Sequence, residues 1–455
     1  MSGVFSRLVG QDVVEAELVS AAVAARGDST HSGSAADAVG GRMTHAWLIT
    51  GPPGSGRSIA ALCFAAALQC TSEGVPGCGE CRACTTTMAG THGDVRRIIP
   101  EGLSISVKEM RAIVQIASRR PATGRWQIVV VEDADRLTEG AANALLKVVE
   151  EPPPSTVFLL CAPSVDPEDI AITLRSRCRH VALVTPRLDA IAQVLQDTDG
   201  LPEADARWAA SVSGGHVGRA RRLATDGEAR QRRERALGLA RDAATPSRAY
   251  AAAEELVATA EAEAKALTVD RNEVETEELR TALGAGGTGK GAGGAMRGSV
   301  GALNDLEKRQ KSRQTRASRD ALDRALIDLA TYFRDALVVS SGAGSVQPNH
   351  PDMADKVVAM ASHVPPDRLL RCIEAVLECR EALAINVKPK FAVDAMVATV
   401  GRRCAADYCG RRLRIGSAAG PAVDSAAPAA PALCVRASAR MRARRLSSVG
   451  RASHS

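Results

Sequence analysis

A short glycine-rich segment between residues 51 and 58 constrains the fold of this chain more than any other part of the sequence. It reads Gly-Pro-Pro-Gly-Ser-Gly-Arg-Ser, which fits the phosphate-binding pattern G-x-x-x-x-G-K-S/T at every fixed position except the lysine. The apolar stretch Ala46–Thr50 predicts a buried strand before it, and Ser58–Gln69 predicts a helix after it. Glycines in such a loop let backbone N–H groups turn toward phosphate oxygens at the helix N-terminus. The glycines in question are Gly51, Gly54 and Gly56.

Two side chains of this loop decide whether it can support hydrolysis. Ser58 stands where the Mg²⁺ ligand is expected, but Arg57 stands where a lysine would contact the phosphates. Lysine is a compact point charge, whereas a guanidinium is planar and bulkier, so the two are not interchangeable at a tight site. Two interpretations stay open: a loop that keeps its shape without hydrolysing ATP, which we favour, and a working ATPase. We expect ATP and Mg²⁺ to bind weakly or not at all.

A pair of acids follows the predicted strand Ile128–Val131, where a Walker B strand would end. The usual order is Asp followed by Glu, but this chain has Glu132 followed by Asp133. Each carboxylate is then displaced by about 1.5 Å, the length of a C–C bond, and catalytic geometry is sensitive to about 1 Å. The pair therefore strengthens the prediction of a degraded site. The other interpretation is a buried strand that merely ends in solvated acids.

Four cysteines follow the first predicted helix with the spacing C-x7-C-x2-C-x2-C. Four thiolates can complete a tetrahedral zinc shell with Zn–S distances of about 2.3 Å, and they leave no open position, so the metal would be structural. The other interpretations are four unligated thiols and an iron–sulfur cluster, which no further redox motif accompanies. The predicted zinc ligands are Cys70, Cys78, Cys81 and Cys84.

Periodicity divides the chain into an α/β part and helical parts. Residues 1–185 alternate apolar runs with helical patterns, as a parallel sheet covered by helices does. Residues 186–225 predict a small helical unit with a turn at Gly214 and Gly215, and residues 226–405 predict further helices. A glycine-rich insert at 284–301 should be flexible. The remaining elements predicted are strand Thr156–Cys161 and helices Thr138–Glu151, Arg230–Leu267, Leu322–Val338, Leu369–Leu383 and Phe391–Val400.

The net charge of +6 arises in the C-terminal tail, residues 406–455, which we predict to be disordered. From Arg411 onward there are nine arginines, no lysine and one acid, Asp424, so this part carries +8 and the rest of the chain −2. The basic charge alone therefore does not indicate nucleic-acid binding. Aromatic residues make up only 2%, which argues against base-stacking platforms. No apolar run could span a bilayer, so we expect a cytoplasmic protein without membrane partners.

A phosphate-binding core with four cysteines between its first helix and its Walker B strand is an unusual combination. It resembles the bacterial replicative clamp loader, an AAA+ assembly, over roughly residues 5–405 without the insert. The resemblance implies an α/β P-loop AAA+ core with an inserted zinc module at residues 70–84, then a small helical lid and an all-α collar domain. The segments that carry it are Val9–Asp12, His45–Leu48, Ala142–Pro153, Leu174–Cys178 and Ala384–Pro389.

Within that assembly the chain resembles the delta-prime family of stator subunits more than the gamma/tau motor, which is expected to keep lysine in its loop and Asp-Glu in Walker B. The resemblance implies a scaffold without polymerase or strong ATPase activity of its own. It would complete a ring with gamma/tau and delta subunits that uses ATP to load the β sliding clamp on primed DNA. Clamp and primer–template DNA would be reached through the complex. The alternatives are a gamma/tau-type motor and a zinc-bearing P-loop protein outside replication.

The resemblance also implies roles for arginines. Arg177, between Ser176 and Cys178, would be an arginine finger that stabilises charge in a neighbouring subunit's ATP site; otherwise it is a surface arginine. Arg219 would be a sensor arginine of the lid, or part of a solvated helix face. His216 is expected to begin a helix. The basic run Lys308–Arg316 is interpreted as a solvated helix face more readily than as a contact with a partner or DNA phosphate.

Overall fold

Five segments of the chain are described by the structure, which is a computed structural model: residues 3–27, 43–243, 245–283, 292–343 and 345–404. The described residues all lie within one compact unit, residues 1–407. The predicted tail, residues 406–455, lies outside the described residues. Among the helices that are described, none is long and apolar enough to cross a membrane.

A five-stranded parallel sheet lies at the centre of the first 185 residues, which confirms the predicted α/β core. Its order is β2-β3-β4-β1-β5. Because β1 and β3 flank β4 in parallel, the loops that follow them lie at the same edge of the sheet, where ligands of such folds bind. The strands are β1 (Ala46–Thr50), β2 (Val95–Ile98), β3 (Gln127–Val131), β4 (Thr156–Ala162) and β5 (Arg179–Ala182).

Helices cover both faces of this sheet. Trp47 and Ile49 of β1 belong to the hydrophobic cluster formed with α1, α2 and α3. Ala46 and Leu48 belong to the cluster formed with α4, α5 and α6. Alternate residues of one strand thus enter different cores, as expected for a sheet that is buried on both sides. These helices are α1 (Asp12–Gly27), α2 (Arg57–Gln69), α3 (Arg82–Met88), α4 (Val107–Ala117), α5 (Glu139–Glu150) and α6 (Ile172–Arg175).

Three short helices follow the sheet and share a hydrophobic cluster of their own. They are α7 (Leu188–Asp199), α8 (Glu203–Ser211) and α9 (Val217–Thr225). Gly214 and Gly215 have φ angles of 65° and 84°, so they form the turn that the sequence predicts between α8 and α9. Val9, from the segment before α1, packs into the same cluster.

Six further helices share the next cluster: α10 (Gly227–Asp242), α11 (Pro246–Ala282), α12 (Ala292–Ser340), α13 (Ala354–His363), α14 (Pro366–Ala384) and α15 (Pro389–Cys404). The helix predicted at Arg230–Leu267 is in fact two, because Pro246 begins a new helix at its first position. Residues 292–301 of the predicted flexible insert belong to α12, and residues 284–291 lie outside the described residues. On these clusters we propose the domain division 1–185, 186–225 and 226–405.

Candidate nucleotide-binding and metal-binding sites

The phosphate-binding loop connects β1 to α2. Gly54 and Gly56 have φ angles of 88° and 95°, which residues with a Cβ rarely adopt. A Cβ at Gly54 would lie 2.5 Å from the Cβ of His216, which begins α9 as predicted. The N-cap residue of α9 therefore lies directly against the loop.

The surroundings of His216 favour the neutral form of its ring. Burial, followed by the charges of Arg219, Arg324 and Arg57, lowers the pKa of its ring. Its Nδ1 accepts a hydrogen bond of 3.2 Å from the backbone N–H of Arg219. An uncharged imidazole is needed for this cap, since a protonated Nδ1 cannot accept.

Ser58 and Glu132 meet at the carboxyl edge of the sheet. The hydroxyl of Ser58 donates to Oε2 of Glu132 at 2.9 Å. The other carboxylate oxygen forms an ion pair with Arg97 at the end of β2. The structure thus brings together two residues that the sequence predicts at the nucleotide site, but both oxygens of Glu132 already have partners within the protein.

Asp133 follows Glu132 in a left-handed conformation, with φ of 53°. Its carboxylate forms an ion pair with Arg316 of α12, and Nε of Arg136 lies 3.9 Å away. The second predicted acid is therefore engaged by an arginine that comes from the C-terminal helices, and the end of β3 is charge-compensated on both of its acids.

Arg57 and Asp135 each keep one buried polar atom without a partner. Among the described residues, Nη1 of Arg57 and Oδ1 of Asp135 have no hydrogen-bond partner. Burial raises the pKa of Asp135, and the charge of Asp133 adds to this effect. A backbone hydrogen bond and the charges of Arg136 and Arg57 lower the pKa by less. A buried donor without a partner is unfavourable. Arg57 therefore retains an N–H that could donate a hydrogen bond to an anion in the loop.

Arg219 forms an ion pair with Asp328 of α12 through one guanidinium nitrogen and both carboxylate oxygens. The side chains are 14% and 6% exposed, so this contact is largely shielded from solvent. Its neighbours Arg221 and Arg222 pair with Asp199 and Glu263. The predicted sensor arginine thus joins α9 to α12 in this structure.

Two arginines of the basic run contact the α/β core. Arg313 donates to Glu101 and to Glu275 at 3.0 Å each, and Arg316 donates to the carbonyl of Pro100. The interpretation of the run as a solvated helix face is wrong for these two residues, because α12 lies along the core. It holds for Lys308, whose side chain is 80% exposed.

Arg177 lies at the surface, two residues after α6. Its Nη2 is 2.6 Å from Oε1 of Glu150, at the end of α5. Its Nη1 donates to the carbonyl of Thr173 at 3.0 Å and to Oγ of Ser176 at 3.2 Å. The guanidinium is thus held by three groups of the chain while its side chain is 39% exposed.

The four predicted metal ligands converge. The sulfur atoms of Cys70, Cys78, Cys81 and Cys84 all lie within 4.8 Å of one another. The Sγ atoms of Cys70 and Cys78 are 3.8 Å apart, and those of Cys70 and Cys81 are 4.0 Å apart. A tetrahedral zinc site with Zn–S of about 2.3 Å requires sulfurs about 3.8 Å apart. The cluster therefore has the dimensions to hold a metal ion.

Backbone N–H groups prepare these sulfurs as ligands. Sγ of Cys78 accepts from the N–H of Cys81 at 3.3 Å, and Sγ of Cys81 accepts from the N–H of Cys84 at 3.4 Å. Burial opposes ionisation of the Cys81 thiol, but hydrogen bonds from Thr71 and Cys84 outweigh it and lower its pKa to about 6. Burial raises the pKa of Cys84. A metal would favour the thiolate form of all four.

The N-terminal segment packs on this cysteine module. The N–H of Val4 donates to the carbonyl of Gly77 at 2.9 Å, and the thiol of Cys63 in α2 donates to the carbonyl of Val4 at 3.0 Å. A Cβ at Gly77 would lie 2.9 Å from Cγ2 of Val4. The module is therefore fixed to α2 and to the start of the chain.

Three residues near the site were not identified from the sequence as its members. Arg97 lies in a short strand with no motif, and Arg316 was part of the basic run. Gln11, in the segment Val9–Asp12, is buried and donates to the carbonyls of Val184 at 2.6 Å and Ser55 at 3.4 Å. Of the three, only Gln11 could have been found from the sequence, because Val9–Asp12 is one of the segments that carry the family resemblance.

Two family models match this chain. The model described as "DNA polymerase III, delta subunit" matches residues 34–187, and "DNA polymerase III, delta subunit, C terminal" matches residues 316–388. The first contains the phosphate-binding loop, the cysteine module and Arg177. The second begins at Arg316 in α12.

Curated relatives give a similar result. DNA polymerase III subunit delta' of Escherichia coli (strain K12) is 39% identical over 149 residues, which are 32% of this chain and 44% of that protein. DNA polymerase III subunit tau of Bacillus subtilis (strain 168) is 34% identical over 140 residues, 30% of this chain and 24% of that protein. The chain spans about half the length of the curated delta' relatives it matches, between 43% and 60%.

Among solved structures, a DNA polymerase III gamma subunit-related protein from Thermotoga maritima aligns with 78% of this chain and 94% of its own. The sequence identity is 18% and the TM-score is 0.34.

Proposed function

We propose that this chain, whose predicted similarity to DNA polymerase III subunit delta' is confirmed by these matches, is a stator-type clamp-loader subunit that does not hydrolyse ATP itself. In this proposal it supplies Arg177 to the ATP site of a neighbouring subunit. The observation that carries the proposal is that both acids after β3 are engaged by arginines of the same chain, Glu132 by Arg97 and Asp133 by Arg316.

Hydrolysis at the chain's own loop would need an acid that is already paired. The hydroxyl of Ser58 gives its hydrogen to Glu132 and keeps its oxygen lone pairs for a Mg²⁺ ion, so this contact does not exclude the metal. An acid that orients the attacking water must accept a hydrogen bond from it, and the cation on Asp133 makes that carboxylate a poor acceptor. The planar side chain of Arg57 replaces the lysine that contacts the phosphates. We infer that nucleotide, if bound, is not turned over.

Arg177 has the properties that a residue acting in trans requires. Its guanidinium is at the surface, on a side chain that is 39% exposed, and presents a planar fork of donors that suits phosphate oxygens. Phosphoryl transfer develops charge on the equatorial oxygens, and a guanidinium that contacts them from the next subunit stabilises the transition state. In this proposal the catalytic contribution of the chain lies at Arg177.

The proposed complex is a hetero-oligomeric ring with gamma/tau-type and delta-type subunits. The sliding clamp and the primer–template DNA would be reached through that complex. Both matched regions support this assignment. One covers the core that carries Arg177, and the other covers the second half of α12 together with α13 and α14.

Reconstitution of the complex with Arg177→Ala tests the proposal. We expect normal assembly and an ATPase rate lowered by about 10³-fold at the site that Arg177 serves, the lower end of the range for an arginine finger. Arg175→Ala is the matched control, because Arg175 is an exposed arginine two residues away whose guanidinium donates only to the carbonyl of Val165 in the described contacts. An unchanged rate with Arg177→Ala would remove the proposed role.

A gamma/tau-type motor is the second candidate, since a tau subunit also matches at 34% identity. The paired state of Glu132 and Asp133 disfavours it. The isolated chain separates the two candidates, because a motor would release phosphate from ATP and lose that activity on Arg57→Ala.

We further propose that the cysteine module holds one structural Zn²⁺, as the sulfur spacing supports. The ion would cross-link α2, α3 and the loop between them, and through Gly77 it would fix the N-terminal segment. With four protein ligands it would have no position left for a substrate.

Metal analysis of the purified full chain tests this assignment. We expect about one zinc per chain and its loss in Cys81→Ser, with earlier proteolysis between residues 70 and 84. Cys63→Ser is the matched control, since Cys63 is a buried cysteine of α2 outside the cluster. A metal-free wild-type chain with an equally resistant module would contradict the proposal.

A further inference from the structure

We propose that Glu150 is a positioning residue for Arg177, which holds the guanidinium in the orientation that a neighbouring subunit meets. This inference rests on the proposed role of Arg177 as a finger. It concerns a residue of a different element, because Glu150 ends α5 and Arg177 follows α6.

The contacts of Arg177 fix the plane of its guanidinium. Nη2 of Arg177 lies 2.6 Å from Oε1 of Glu150. Nη1 donates to the carbonyl of Thr173 and to the hydroxyl of Ser176. Two different nitrogens are held from two directions, so rotation about the end of the side chain is restricted. The remaining N–H groups, including that of Nε, stay available for a phosphate.

The three residues of Ser176-Arg177-Cys178 have separate tasks in this arrangement. The hydroxyl of Ser176 donates to the carbonyl of Thr173 at 3.0 Å and accepts from Arg177. Cys178 packs against the core cluster on the side of α5. The backbone of Arg177 is thus anchored on the core, and its side chain reaches the surface beside Glu150.

The place of Glu150 in its own helix indicates that it does not serve helix stability. It is the last residue of α5, where the helix dipole disfavours an acid. Arg177 compensates that charge from outside the helix. A carboxylate at the unfavourable end of a helix, opposite the proposed finger, is explained by its effect on the finger.

The expected effect is modest, because both side chains are about 40% exposed, with 39% for Arg177 and 40% for Glu150. Exposed ion pairs change equilibria by about twofold to fivefold. Glu150 orders the long side chain of Arg177 before the neighbour's nucleotide arrives. This orientation then favours the transition state.

The test uses the reconstituted complex with Glu150→Gln in the full chain. We expect kcat for ATP to fall by about twofold to fivefold, with KM for ATP and assembly unchanged. In an Arg177→Ala background the same substitution should have no further effect, since residues that act through one group are not additive. Glu150→Asp, which keeps the charge but is shorter, should fall between wild type and Glu150→Gln.

Glu151→Gln is the matched control. Glu151 is the adjacent exposed acid, and the described contacts of Arg177 do not include it. A kcat that is unchanged or raised by Glu150→Gln, while Arg177→Ala lowers it, would overturn the inference and leave the finger in place. An equal loss in the Arg177→Ala background would also overturn it. A rate insensitive to Arg177→Ala would instead refute the proposed function.

Discussion

At the residue scale, the chemistry of the phosphate-binding loop depends on the partners of Glu132 and Asp133. From the reversed order of these acids one expects each carboxylate to miss its position by about one bond length. The structure shows that Glu132 still reaches the hydroxyl of Ser58, at 2.9 Å. Asp133 turns instead toward Arg316. The impairment is therefore as much a matter of charge pairing as of side-chain length.

Asp94, just before β2, shows how a single carboxylate orders a loop of this core. It accepts hydrogen bonds of 2.7 to 2.8 Å from the N–H groups of Ala122, Thr123 and Gly124 and from the hydroxyl of Thr123. Burial opposes its ionisation, but these donors outweigh burial and lower its pKa from 3.8 to about 2. The residue is only 3% exposed.

We predict that Asp94→Asn lowers the free energy of unfolding by about 2 kcal/mol at pH 7, since a pKa shift of this size corresponds to that energy. Because the folded-state pKa lies below the unfolded one, the stabilisation is complete above about pH 5 and is lost as the pH falls toward 2. Denaturant titrations of both proteins between pH 7 and 3 should therefore converge at low pH. Glu168→Gln, at an exposed acid, is the control; curves that stay parallel would contradict the role of Asp94.

At the element scale, one row of residues on α12 connects the parts of the molecule. Residues at four-residue intervals are neighbours, and a row of them winds slowly around the helix. The first members of this row contact the core, with Arg316 on Asp133 and Asp320 at 3.5 Å from Arg136. Its last member, Asp328, pairs with Arg219 of α9. The residues of this row are Ser312, Arg316, Asp320, Arg324 and Asp328.

We predict that Arg316→Ala lowers the free energy of unfolding by about 2 kcal/mol, because Asp133 and the carbonyl of Pro100 lose their partner. The loss of stability should stay below the roughly 3–5 kcal/mol that breaking a fully buried ion pair costs, because Arg316 is partly exposed. Hydrogen exchange should rise locally at residues 98–104. Lys308→Ala, at an exposed position of the same helix, is the control, and equal stability of the two variants would argue that α12 is not docked in solution.

At the scale of the whole molecule, the groups expected to face a nucleotide are tied to the C-terminal helices. Asp133 belongs to the sheet core and Arg219 to α9, yet both pair with α12. His216, just before α9, also lies on the loop at Gly54. The sheet core and α9 are therefore connected through side chains of α12.

We predict that Arg57→Lys, which restores the lysine of the loop, does not produce an ATPase in the isolated chain. The substitution leaves Asp133 paired with Arg316 and leaves Glu132 between Ser58 and Arg97. Phosphate release should remain at the background level measured for Ser58→Ala. Turnover in Arg57→Lys above that background would show that the lysine alone was missing and would refute the role given to the ion pairs.

The sequence by itself determined the features that depend on neighbours along the chain. The loop at residues 51–58 and the cysteine spacing are local patterns, because their geometry is set within a short stretch of chain. Strands β1, β3 and β4 were predictable for the same reason, since each is a continuous apolar run. The short strands β2 and β5 contain basic residues and offered no such pattern.

Only the tertiary structure decided which charges meet. Arg97 and Glu132 are 35 residues apart, Arg219 and Asp328 are 109 apart, and Asp133 and Arg316 are 183 apart. No periodicity links such positions, because their contact depends on how α12 lies against the sheet and the lid. The sequence could therefore indicate a degraded phosphate-binding site, but the side chains that occupy its acids follow from the packing of distant helices.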